Sequence, residues 1–177
     1  MVKPILTIPK DDQALRQKSQ EITAFDKSVE NLITDLIDTI EAQTDPIGLG
    51  LSAPQIGVFK RAFVARIRNK LKSFINPKIT KFSKNETSFL EGCFSVPELY
   101  GHVIRPSEID IESQDMHGKK AAVHYNGVAA RIIQHEVDHL DGVLFIDHVH
   151  TQNGKVFKVE KDKRGKEQFV EVPLPQS

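Results

Sequence analysis

Asn126-Gly127-Val128-Ala129-Ala130-Arg131-Ile132-Ile133-Gln134-His135-Glu136-Val137-Asp138-His139-Leu140 is the stretch on which the fold turns. Asn126 is placed to cap a helix over 127–140, and Gly142 stands just past its end. Residues four apart lie one turn apart on the same helical face, so His135 and His139 can grip one cation together. Glu136, beside His135, can reach a water on such an ion without binding the ion itself. The plain alternative is a polar helix face with a Glu–His pair. Against it, Ile132, Ile133 and Leu140 imply partial burial, and a buried His-Glu-His group without a partner is costly.

Upstream of the helix, strand-like segments rich in Val, Ile, Phe and Thr fall at 61–67, 73–82, 87–96 and 107–114. His117-Gly118-Lys119 reads as a turn into a strand over 120–125. From Val29 to Ile40 the apolar residues Val29, Leu32, Ile33, Leu36, Ile37 and Ile40 keep a three-four spacing, which predicts a second helix with one packed stripe. Residues 11–20 could form a short helix, and Gly48 to Gly57 reads as a glycine-bounded loop. After Val149, alternation of Phe157, Val159, Phe169, Val170 and Val172 around Lys163-Arg164-Gly165-Lys166 suggests a β-hairpin. The expectation is an α+β fold, with antiparallel sheets packed around a central helix that carries the metal-binding motif. Residues 1–177 are read as a single domain.

Two histidines need a third ligand. A histidine three residues beyond Gly142 would provide one, but that position is Phe145. Glu160 is a carboxylate candidate of the kind a zinc endopeptidase would use, although it lies in a lysine-rich stretch without an apolar stripe. Cys93, the one cysteine, offers a thiolate that binds zinc or iron strongly; its bland reading is a small buried hydrophobe.

Glu91-Gly92-Cys93-Phe94-Ser95, followed by Gln134-His135-Glu136-Val137-Asp138-His139, resembles two of the three signature motifs of peptide deformylases. Gly48-Leu49-Gly50-Leu51-Ser52-Ala53-Pro54-Gln55 resembles the third, all three stand in the family's order, and the resemblance runs from about Ile5 to Val149. The chain departs from the pattern at Ser52, where the family usually has Ala, a change expected to be tolerated. It departs again at Phe94, where the family usually has Leu. Residues 150–177 do not match the C-terminal helix of one branch.

The resemblance implies a hydrolase that removes the formyl group from formyl-methionyl peptides and nascent chains. It implies one divalent metal ion, Fe2+ natively, with Zn2+, Ni2+ or Co2+ as alternatives in purified protein. Cys93, His135 and His139 would hold that ion with water in the fourth position. Glu136 would act as general base and then acid, while the Gln55 amide and the Phe94 N–H would steady an oxyanion. Leu49 and Gly50 would pair with the substrate main chain, Arg105 would stand near the substrate mouth, with an exposed salt bridge as its alternative, and Glu91 would orient a ligand histidine. For the methionine side chain, Val128 and Ile132 lie on the helix face of His135, and Phe89 could close the slot; ordinary core packing is the alternative for each.

Lys+Arg and Asp+Glu are each 24, so no net charge draws the chain toward nucleic acid or anionic lipid. A lone cysteine and the lack of a visible signal peptide or membrane span fit a cytoplasmic protein. A monomer is the simplest expectation, with the ribosome surface as a further candidate partner. An inert peptide-binding module remains a rival reading, as does the endopeptidase.

Overall fold

The computed structural model describes residues 1–161 and 166–174. Among the described residues, nine strands form two sheets. The first has the order β1-β2-β3-β6-β7, from Gly50–Ser52, Ala62–Ile67, Lys70–Phe82, Glu108–Gln114 and Lys120–Asn126. The second has the order β4-β5-β8-β9, from Glu86–Cys93, Val96–Pro106, Val156–Lys161 and Glu167–Val172. Every pairing between these strands is antiparallel.

Helix α1 is a single turn, Asp12–Leu15, shorter than the 11–20 expected. Helix α2, Lys27–Glu41, starts where Asp26 accepts the Ser28 N–H at 2.9 Å. It buries Val29, Ile33, Leu36 and Ile40, the expected stripe, against Leu51, Ala62, Val64 and Ile75 of the first sheet. Helix α3, Gly127–Leu140, packs on the other face of that sheet, where Ile132, Ile133 and Leu140 join Phe63, Ala65, Phe74, Ile109 and Ile111. It also touches β5, so it lies between the two sheets, as a central helix should. Among the described residues, no helix is long and apolar enough to cross a membrane.

Four other features differ from expectation. Asn126 stands at the helix start, but its side chain makes no capping bond; Gly127 turns strand into helix with φ of +56°, a conformation that costs glycine little. The segment read as one strand over 87–96 reverses at Phe94-Ser95, and Val96–Pro106 returns beside it as β5. Gly48–Gly57 is not simply a loop: Gly50–Ser52 is an edge strand, followed by a 3₁₀ turn over Ala53–Ile56. Phe145–Thr151 forms a short helix, α4, whose Phe145, Ile146 and Val149 pack against Val96, Val103 and Val156. In the tail, β8 and β9 pair as the expected hairpin, and β8 also joins β5. The turn expected at Lys163-Arg164-Gly165 lies outside the described residues.

Candidate metal centre and active site

Strand β4 ends on Cys93, and helix α3 carries His135 and His139 one turn apart toward it. The sulfur and one ring nitrogen of each histidine lie within 4.8 Å of one another. His139 Nε2 is 3.2 Å from Cys93 Sγ. His135 Nδ1 meets Glu91 Oε2 at 2.9 Å, which leaves its Nε2 for the cluster. Glu160 is exposed on β8 and is not in this group, so the carboxylate alternative for the third donor is not supported.

Burial opposes charge on Cys93, yet the His139 and His135 rings outweigh it and hold the thiol well below its usual range. His135 is likewise raised well above an ordinary histidine: burial lowers it, but Cys93 and Glu91 more than compensate. The proton on His135 thus sits where a cation would compete for the same donors. Burial pushes the Glu136 carboxyl up to about 7, against the pull of both histidines. Among the described residues, Glu136 Oε2 and His139 Nδ1 are buried without a hydrogen-bond partner. A thiolate, two imidazoles and an unpartnered carboxylate oxygen beside them fit a borderline-soft divalent ion.

Gln55, 1% exposed, enters from the 3₁₀ turn. Its Nε2 donates to Cys93 Sγ at 3.4 Å and to Ser95 Oγ at 3.1 Å. Its Oε1 accepts the Ser52 N–H at 2.9 Å and the Ser52 hydroxyl at 3.0 Å. Gly50 passes directly over Glu136: a Cβ there would sit 2.3 Å from Glu136 Oε1. Only glycine lets β1 lie this close to that carboxylate.

Glu91 is the hub behind the cluster. One oxygen accepts Arg105 Nε and Arg131, each at 2.7 Å; the other accepts Arg105 at 3.0 Å and faces His135. Burial raises the Glu91 carboxyl, but His135 and Arg105 together hold it well below the usual carboxylate range. Arg105 also donates to Asp138 at 2.6 Å, and Asp138 meets His148 Nε2 at 2.8 Å. Glu91→Gln leaves two guanidinium groups short of a buried counter-charge, so it is expected to destabilise the fold by about 3–5 kcal/mol. Metal affinity should fall roughly 10- to 100-fold, because His135 loses its orienting carboxylate. Urea unfolding and a competitive zinc titration check the two effects separately.

The remaining candidates scatter. Arg105 is buried, not the exposed salt bridge allowed for, and its ion pairs point inward to Glu91 and Asp138. Ile132 is core, 8% exposed. Phe89, Val128 and Leu49 are about half exposed, and Phe89 carries the Arg131 guanidinium 5.6 Å over its ring. Phe94 is half-buried in the β4–β5 turn. His148, on α4, is tied to Asp138. Ser52, Ser95, Arg131 and Asp138 were given no role by the sequence. The i, i+3 placement of Ser52 and Gln55 around Pro54 was the one local signal available.

The family model for polypeptide deformylase matches residues 2–155. A peptide deformylase of Rhizobium meliloti is 39% identical over 153 residues, covering 84% of this chain and 85% of that protein. One from Treponema pallidum (strain Nichols) is 37% identical over 138 residues, covering 78% and 83%. Among solved structures, the Legionella pneumophila peptide deformylase superposes with a TM-score of 0.76 at 36% identity, covering 84% of this chain and 86% of that one. The Ehrlichia chaffeensis peptide deformylase in complex with actinonin gives 0.78 at 34% identity, covering 83% and 88%. With the thiol, both histidines, Glu136 and Gln55 gathered at one place, this chain belongs to the polypeptide deformylase family, metal-dependent hydrolases that remove the N-terminal formyl group from new polypeptides.

Proposed function

We propose that Cys93 Sγ, His135 Nε2 and His139 Nε2 hold the divalent ion, and that Glu136, Gln55 and Phe94 carry the hydrolysis of the formyl amide. The observation that carries this reading is the convergence of the sulfur and two ring nitrogens within 4.8 Å. A bound ion supplies Lewis acidity that makes water a competent nucleophile near neutral pH. Glu136 accepts the water proton on its unpartnered oxygen and returns it to the leaving amine. The Gln55 Nε2–H and the Phe94 N–H donate to the oxygen that gains charge, a contribution typically worth roughly a hundredfold to a thousandfold in turnover for one donor.

Strand β1 has β2 on one side and an open edge on the other, which supports Leu49 and Gly50 as main-chain partners of an extended substrate. Val128, Phe89 and Ile132 are proposed to shape the methionine slot. Arg105 is assigned to holding Glu91 in place. We read residues 1–177 as one catalytic unit, monomeric and cytoplasmic, acting on formyl-methionyl chains at the ribosome surface. Fe2+ is proposed as the native ion; the thiolate-imidazole set suits zinc also.

The experiment is formate release from a formyl-Met peptide by anaerobically prepared protein, with product masses recorded. Formate and an intact free-amine peptide are expected. Internal cleavage with the formyl group retained would replace this reading with the endopeptidase.

A further inference from the structure

We propose that Ser52 is a positioning residue for the reaction, fixing the Gln55 amide through its hydroxyl. The inference rests on the reading of Gln55 given above. A carboxamide can sit in two orientations related by a half-turn, and only one of them presents N–H groups to Cys93. Gln55 Oε1 can accept but not donate, so the Ser52 hydroxyl, 3.0 Å away, must be the donor. The Ser52 N–H donates to the same oxygen at 2.9 Å.

Both acceptor positions on the oxygen are therefore filled. Both protons of Nε2 are also directed, one at Ser95 Oγ and one at Cys93 Sγ, and the second, on the side of the cluster, is the one that turns to the oxygen that gains charge. Four contacts hold the amide, three of them buried and the one to Cys93 part-buried, with Ser52 and Ser95 at 0% exposure and Gln55 at 1%. The half-turn would press an NH2 group against the Ser52 N–H, which has no acceptor to offer. The hydroxyl adds the second restraint, against tilt as well as rotation. Donation to an amide oxygen also strengthens the N–H groups at its far end. Alanine at this position would keep the backbone donor and lose the other. The serine therefore does something specific here, beyond being small enough to fit.

A plain structural role, capping the 3₁₀ turn over Ala53–Ile56, is the competing account. Zinc-loaded parent, Ser52→Ala, Gln55→Ala and the double variant separate the two. Ser52→Ala should fold, since it leaves Gln55 Oε1 with one donor still in place. It is expected to lower kcat by about two- to tenfold, the worth of one neutral hydrogen bond, with KM nearly unchanged. In the Gln55→Ala background it should lower kcat no further. In NMR spectra the two Gln55 side-chain amide protons should exchange slowly with solvent in the parent and faster in Ser52→Ala. Unchanged amide exchange, unchanged kcat, or an equal loss in the Gln55→Ala background each overturns the proposal. Full activity in Gln55→Ala alone overturns the role of Gln55 and this one with it. Failure of the present proposal by itself leaves Gln55→Ala impaired.

Discussion

Cys93→Ala is expected to abolish metal retention and to lower deformylation by roughly a thousandfold or more, since several kcal/mol of charge stabilisation depend on the ion. Among the described residues, the sulfur is one of three protein donors in the cluster. It is also the acidic one: the two imidazoles hold the thiol well below its usual range despite burial. Removing it leaves two imidazoles and an exchangeable water shell. Cys93→Ser should fare little better, because a hydroxyl does not ionise where a thiol does. Metal content after gel filtration, with formate release on the same sample, checks the claim. An endopeptidase built on His135, His139 and Glu160 would keep its ion in both variants, and that result would remove Cys93 from the site. Glu160, exposed on β8, is poorly placed to take over.

The second large effect belongs to Glu136. Glu136→Gln should keep the ion and lose roughly a hundredfold to ten-thousandfold in turnover, the usual range for a positioned proton carrier. Its side chain is 3% exposed, with one oxygen unpartnered and the other beneath Gly50. Loss of metal together with activity would make Glu136 a ligand and defeat the assignment. The same variant has a stability signature in metal-free protein. Burial raises the Glu136 carboxyl from 4.5 to about 7, so the folded state holds a proton that the unfolded chain has already released. This group's contribution is therefore neutral below about pH 4.5 and grows unfavourable as pH rises toward 7, on the order of 3 kcal/mol at the limit. Glutamine removes that penalty. Urea unfolding of chelator-treated proteins should show the variant more stable than the parent at pH 8 and equal to it near pH 4.5.

Much of the site was legible because its residues obey short-range rules. The His135–His139 spacing needs only a helix, and the helix needs only the apolar positions around it. Helix α2 was equally plain, with Val29, Ile33, Leu36 and Ile40 all buried as their spacing demands. Strand β5 was not legible, because Pro97, Glu98, Gly101, His102 and Arg105 interrupt any apolar alternation. Its buried positions include Gly101 and Arg105, which read as loop and surface. Helix α4 has seven residues, too few to display a stripe. The Glu91–Arg105–Asp138–His148 network joins β4, β5, α3 and α4, so no local pattern could announce it. Ser52 was passed over as a tolerated change; its hydroxyl matters only once Gln55 is folded against it.

Cys93 and His139 are 46 residues apart and sit on different layers of the molecule, one on the second sheet and the other on the helix between the sheets. An ion shared by them would act as a reversible staple, adding its binding free energy to that of folding because the unfolded chain holds no preformed site. Chelation would then relax how firmly that sheet is clasped to the helix, in addition to silencing the chemistry. In such a protein, supply of the ion and longevity of the folded chain rise and fall together.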